Sequence, residues 1–113
     1  MSEDCIFCKI IAKEIPSTVV YEDDEILAFK DINPVTPVHI LIIPKKHIPT
    51  ITDISEEDTA LIGRIHLAAG KIGRDAGIFD QGFRLVNNCR SYGGQVVYHL
   101  HFHLLGGQKL GGL

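Results

Sequence analysis

The chain has 113 residues, 45% of them hydrophobic and 22% charged, with a formal net charge of -3. That balance suits one globular domain, residues 1–113, and leaves no room for a second. No basic run exceeds Lys45-Lys46, which excludes a protein that grips a nucleic-acid backbone by counterion release; a small phosphorylated ligand stays compatible.

No stretch approaches the ~20 apolar residues of a membrane span, and Met1 to Asp4 is acidic where a signal peptide would be basic and then apolar. A cytoplasmic location without membrane contact is the expectation. Three cysteines, an odd number, point to thiols or metal ligands rather than a disulfide framework. A domain this small buries only roughly two-thirds of its unfolded surface, so a bound metal or a second subunit would add useful stability.

Between Asp4 and Lys13 the apolar residues Ile6, Phe7, Ile10 and Ile11 recur at helical spacing behind possible caps Ser2 and Asp4, predicting a short amphipathic helix that Pro16 ends. Thr18–Glu22 and Glu25–Asp31 are β-branched and aromatic runs joined at Asp23-Asp24, the pattern of a hairpin. Asn33-Pro34 through Pro37 is a loop, because each proline removes an amide donor and biases its predecessor away from helix.

His39–Pro44 carries Ile40, Leu41, Ile42 and Ile43, a continuous apolar run of buried-strand length. Ser55-Glu56-Glu57-Asp58 resembles a capping box, and Leu61, Ile62, Ile65, Ala68, Ala69 and Ile72 follow at helical spacing until Gly77. Phe83–Asn88 and Tyr98–Leu105 read as strands separated by the turn-rich Cys89–Gly94. Strands joined by short turns favour antiparallel pairing, so the predicted class is α+β: a five-stranded antiparallel sheet with one short N-terminal helix and one long helix.

In Tyr98-His99-Leu100-His101-Phe102-His103-Leu104-Leu105 imidazoles alternate with apolar side chains at the period of a strand. On a regular strand all three rings share one face, and His99 and His103 stand roughly 13 Å apart with His101 between them. A neutral imidazole attacks phosphorus well near neutral pH, provided its other nitrogen is held by a neighbouring imidazole or carbonyl. The Gly93-Gly94-Gln95 loop can bring backbone amides to an anion. Two other readings stand beside this one: a wet strand face that simply carries polar residues, and a His-x-His metal site of the hydrolytic zinc kind.

His99-Leu-His101-Phe-His103-Leu-Leu resembles the signature of the histidine triad family, in which three histidines alternate with apolar residues. The likeness extends to Cys5-Ile-Phe-Cys-Lys-Ile-Ile, Leu27-Ala-Phe-Lys-Asp31-Ile32, Pro37-Val-His39, Ile43-Pro-Lys-Lys-His47-Ile, Asn88 and Gly93-Gly-Gln95-Val-Val-Tyr-His99, covering Asp4 to Gly107. These segments are similar to the nucleoside-phosphoramidase branch of the family.

The resemblance implies an enzyme acting on the α-phosphate of a purine nucleotide conjugate, working as a homodimer without an organic cofactor. His101 would be the nucleophile, His103 would contact the phosphate and leaving group, and His39 would support the nucleophile from a neighbouring strand. Asp31 and Ile32 would hold the ribose, a task suited to a carboxylate accepting two hydrogen bonds. Asn88, Gly94, Gln95 and Val96 match the surroundings of the phosphate, and Ile6, Phe7, Phe29 and Leu41 the apolar cleft for the base. Val96 departs from many relatives, which have serine or threonine there, so one donor to the phosphate or leaving group is missing. The chain also stops at Leu113 without the longer tail of some relatives.

Plainer roles exist for several of these residues: Phe7, Phe29 and Leu41 as core, Asp31 as the cap of a turn before Asn33-Pro34, Lys45-Lys46 as a solvated pair, and His66 as structural. Cys5-x-x-Cys8 offers two thiolates from a short helix, and with His47 and His99 would form a closed Cys₂His₂ set for structural zinc, as in some histidine triad proteins. The alternative is two buried thiols with His47 and His99 paired by hydrogen bonds. Two further functional readings remain: hydrolysis of dinucleoside polyphosphates or nucleotidyl transfer, and a nucleotide-binding adaptor with vestigial chemistry.

Overall fold

The computed structural model describes residues 4–112. Five strands, β1 (Val19–Glu22), β2 (Ile26–Lys30), β3 (Val38–Pro44), β4 (Arg84–Val86) and β5 (Phe102–Gly106), form one antiparallel sheet in the order β1-β2-β3-β5-β4. Helix α1 (Ile6–Ile11) precedes the sheet, and α2 (Thr59–Asp75) connects β3 to β4. This is the α+β architecture that the sequence pattern predicts.

The sheet is covered on both faces, which explains why β2 and β3 read as unbroken apolar runs. Ile26, Ala28, Ile40, Ile42, Phe102 and Leu104 pack with Leu61, Ile65, Ala68, Ala69 and Ile72 of α2. Leu27, Phe29, Leu41 and Ile43, the alternate residues, pack with Cys5, Phe7, Cys8 and Ile10 from α1. Gly73 lets α2 lie against Phe83: a Cβ there would stand 2.6 Å from the ring. Among the described residues no helix is long and apolar enough to cross a membrane.

Local chemistry sets the element ends. Asp23 Oδ1 accepts from the amides of Glu25 and Ile26, each at 2.8 Å, and so closes the predicted hairpin. Ser55 and Asp58 form the predicted capping box, although its first turn, Glu56–Asp58, is a 3₁₀ turn and α2 proper begins at Thr59. At α1 the cap is not Asp4, and Ser2 lies outside the described residues. Cys5 takes the position, its Sγ accepting from the Cys8 amide at 3.3 Å.

Two strands are three residues shorter than their sequence patterns. β4 stops at Val86 rather than Asn88, because Asn87 turns its side-chain amide onto the carbonyl of His101 at 2.9 Å. β5 begins at Phe102 rather than Tyr98. Over Tyr98–His101 the backbone leaves the ladder: Leu100 donates to Ile48 O, and His99 Nε2 to Pro44 O at 2.8 Å. The three histidines therefore do not form one straight row.

Candidate active site and metal centre

The α1 face of the sheet gathers most of the singled-out residues. In the β2–β3–β5 register Phe29 lies opposite Leu41 and Leu41 opposite His103, while the Asp31 amide donates to the His39 carbonyl. Phe7 reaches over this surface from α1, edge-on to Phe29, His99 and His101 at centroid separations of 5.6, 5.9 and 5.1 Å. Phe7, Phe29 and Leu41 are buried as core and also wall the face on which the imidazoles stand.

The hydrogen-bond partners fix how each ring presents its nitrogens. His101 Nδ1 faces the His99 carbonyl at 2.8 Å, and since a carbonyl only accepts, Nδ1 carries the proton. In the neutral ring Nε2 then holds a lone pair. The Val35 amide donates to His39 Nδ1 at 3.2 Å, which places the His39 proton on Nε2. That Nε2–H points at His103 Nδ1, 3.0 Å away, and at Asp31 Oδ2, 3.4 Å away. His103 Nδ1 accepts, so its Nε2 carries a proton available to an acceptor. One ring thus offers a lone pair and its neighbour, 5.1 Å away between centroids, a donor.

Burial favours the neutral form of His101 and of His103. Desolvation is the largest influence on His101 and pulls its pKa below the ordinary 6.5, against the His99 carbonyl and the Asp31 charge. Burial first, then the proximity of His101 and His39, lowers His103 to about 4, with Asp31 opposing. The His39 ring contacts His103; in the β3–β5 register His39 lies opposite Leu105, two residues beyond His103. Asp31, His39 and His103 are close enough to be read as metal ligands. The Val35 amide argues against that use, because it occupies the Nδ1 lone pair and leaves Nε2 protonated.

His99 belongs to a different centre. It is fully buried, and its Nδ1 lies 3.3 Å from Cys5 Sγ, 3.6 Å from Cys8 Sγ and 3.2 Å from His47 Nδ1; Cys8 Sγ is 3.3 Å from His47 Nδ1. One ring nitrogen cannot share hydrogen bonds with three such atoms, and His99 Nε2 already donates to Pro44 O, so Nδ1 carries only a lone pair. Tetrahedral coordination with bonds of about 2.0–2.3 Å separates neighbouring donors by about 3.3–3.8 Å, close to these separations. Cys5, Cys8, His47 and His99 can therefore hold a metal ion. Burial lowers the His99 pKa to about 4, against the Pro44 hydrogen bond, which keeps that lone pair open near neutral pH.

The remaining residues are placed less uniformly. Ile6 is 45% exposed, Ile32 91% and Val96 87%, so all three project from the surface. Asp31 does cap a turn, accepting from the Asn33 amide at 2.8 Å, yet its other oxygen faces His39. A cleft of about 420 Å³ between Pro34, Pro37, Val38 and the end of α2 meets this site only at Asp31 and His39. Lys46 pairs with Asp58 at 2.6 Å, Lys45 with Glu22 at 2.9 Å, and His66 lies on α2 against Phe102.

The Gly93-Gly94-Gln95 loop differs from its expected use. The amides of Gly93, Gly94 and Gln95 donate to Arg90 O, Ser91 O and Arg90 O at 3.1, 3.1 and 3.0 Å. The Gln95 side chain is equally engaged, accepting from the Arg90 amide and donating to Pro49 O and Val97 O. Turn formation, which glycines favour, uses the donors that were expected to face an anion. Asn87, Val35 and Arg90 carry no motif in the sequence; Asn87 comes to the site because Val86 pairs with His103.

Comparison with known proteins agrees with this geometry. Residues 12–110 match the HIT domain. The chain is 52% identical to the purine nucleoside phosphoramidase of Escherichia coli K12, over 98% of this chain and 93% of that protein. It is 55% identical to an uncharacterized HIT-like protein of Synechocystis, over 96% and 94%. A histidine triad protein from Clostridium difficile superposes with a TM-score of 0.97 at 51% identity, covering 100% of this chain and 98% of that one. For a HIT family hydrolase from Legionella pneumophila the TM-score is 0.92 at 54% identity, with 94% and 95% covered. With three alternating histidines leading into β5 and these relatives, the chain belongs to the HIT domain family.

Proposed function

We propose that this protein is a purine nucleoside phosphoramidase in which His101 forms a covalent nucleotidyl intermediate. The observation that carries the reading is the pair of fixed tautomers: a lone pair on His101 Nε2 beside a donor on His103 Nε2. The E. coli relative's name supplies the substrate class.

In the first step His101 Nε2 attacks the α-phosphorus, the Nε2–P bond forms, and the P–N bond to the amine breaks, the amine leaving with a proton from water. The positive charge that develops on the ring is met by the His99 carbonyl at Nδ1 and by Asp31 nearby. His103 Nε2–H bonds a phosphoryl oxygen, steadied through Nδ1 by His39. Water then attacks phosphorus, the Nε2–P bond breaks, a proton is released, and the nucleoside monophosphate departs. Asp31 and Ile32 take the ribose, Ile6, Phe7, Phe29 and Leu41 the base, and Asn88, Gly94 and Val96 border the phosphate.

The Cys₂His₂ set suits zinc, which would be structural, joining α1 to the His99 segment and holding the backbone that carries the His101 acceptor. No organic cofactor is needed. The protein acts as a single domain, a homodimer in the cytoplasm, on nucleotides rather than on nucleic acid or membranes.

The test is turnover of adenosine 5′-phosphoramidate by wild type and His101→Ala. Release of AMP by the wild type alone is expected. Equal turnover would remove His101 as nucleophile, and none in either would favour a nucleotide-binding adaptor. Faster cleavage of a dinucleoside polyphosphate than of the phosphoramidate would change the substrate class.

A further inference from the structure

Arg90 has φ 58° and ψ -173°, a backbone region that almost only glycine enters freely. Its surroundings hold it there from every side. The amide donates to Gln95 Oε1 at 2.8 Å, and the carbonyl accepts from the Gly93 and Gln95 amides. The guanidinium donates twice to Thr52 Oγ1, at 3.2 and 3.1 Å, and lies 3.9 Å from Asp53. Gln95 is buried, and its Nε2 ties the loop to Pro49 and Val97, at 2.8 and 3.0 Å.

Both ends of this loop lead to the reacting rings. Asn87, just before it, holds the His101 carbonyl, and Val97, at its far end, packs with Phe7 against the α1 face. The segment that anchors Gln95 and Arg90, Pro49–Asp53, follows directly on His47 and Ile48, and Ile48 O accepts from the amide of Leu100, between His99 and His101. A shift of the loop therefore moves Val96 and the His101 backbone together.

We infer that Gln95 is a positioning residue: through its amide it latches a strained Arg90 and so fixes the 88–97 loop against the phosphate site, without touching the phosphate. This rests on the phosphoramidase reading for its kinetic consequence. The strain makes the idea testable, because glycine at position 90 enters the same backbone without strain and so needs less of a latch.

The experiment measures kcat and KM on adenosine 5′-phosphoramidate for wild type, Gln95→Met, Arg90→Gly and the double variant. Gln95→Met is expected to lower kcat about tenfold or more with KM changed less than about threefold, since misplacement of catalytic groups acts on rate. Adding Arg90→Gly should recover most of that loss. A direct phosphate contact predicts no recovery, and either that result or an unchanged kcat in Gln95→Met overturns the inference. Should Gln95→Met fail to fold, exposed Thr52→Val serves instead: kcat falls in the wild-type background and not beside Arg90→Gly, whereas equal effects in both overturn it. Hydrogen exchange separates this from the functional reading. Even if the wild type turns over no phosphoramidate, Gln95→Met must speed exchange at the Gly93 and Gln95 amides and Arg90→Gly must restore it; unchanged exchange ends the proposal.

Discussion

His101 donates from Nδ1 to the carbonyl of His99 at 2.8 Å, so the ring proposed to attack phosphorus is aimed by the backbone of a residue in the Cys5, Cys8, His47 and His99 group that can hold a metal ion. His99 and His101 are separated by Leu100 alone, and Phe7 touches both rings. Each can therefore be perturbed from the other side.

His101→Asn removes the nucleophile while keeping a small polar side chain at a buried site. Turnover is expected to fall by at least about a thousandfold. Acid-sensitive, base-stable phosphorus label on the protein, captured by rapid quench during wild-type turnover, should be absent from the variant. Label retained in the variant would place the nucleophile elsewhere.

Removing the metal should loosen α1 and slow the chemistry together. Cys5→Ser is the informative change, because serine keeps a capping acceptor for the Cys8 amide and loses a thiolate ligand. Bound metal should drop from about one equivalent to under about a tenth, and Tm by about 10 °C or more. Elemental analysis and melting curves check both. Full metal content in the variant would contradict the four-ligand set.

Much of this arrangement was legible in the sequence, and the misses share a cause. The run at His39–Pro44 announced a buried strand, and the alternating histidines announced a site beside the last one. Period two could not show that Tyr98–His101 leaves the ladder, because the pull comes from residues far away in sequence: Pro44, Ile48 and the two thiols. Tautomers were equally invisible, since they depend on the Val35 amide and the His99 carbonyl. The family resemblance sets Gln95 among the residues around the phosphate, and the burial of its side chain is not legible in the pattern.

The tautomer chain through His39 gives a graded prediction. Glutamine at position 39 can still donate to His103 Nδ1, whereas alanine leaves that nitrogen without its donor. Turnover should fall about tenfold in His39→Gln and about a hundredfold in His39→Ala. Equal losses would show that a donor to His103 Nδ1 at position 39 does not sustain turnover.

His103 makes stability depend on pH with a defined sign. Its folded pKa, about 4, lies below the ordinary 6.5, so the unfolded chain binds the proton first as pH falls. Its contribution is complete above 6.5, is lost progressively between 6.5 and about 4, and changes little below. At pH 5 the loss relative to pH 7.5 is about 1–2 kcal/mol after screening at a half-buried ring. Urea unfolding at the two pH values should show this loss in wild type and a smaller one in His103→Asn; equal slopes would remove His103 as the cause.

Val96→Ser tests the missing hydroxyl without disturbing the core. Val96 is 87% exposed, so the substitution removes almost no packing and stability should stay within about 0.5 kcal/mol of wild type. A hydrogen bond to a charged oxygen contributes about 1.5–3 kcal/mol. If the hydroxyl reaches the leaving group or a phosphoryl oxygen in the transition state, kcat on adenosine 5′-phosphoramidate rises about tenfold. A lower KM with unchanged kcat would instead mean that the hydroxyl binds substrate and transition state alike. No change in either constant would show that the loop carries residue 96 away from the phosphate, and Val96 would then not limit the rate.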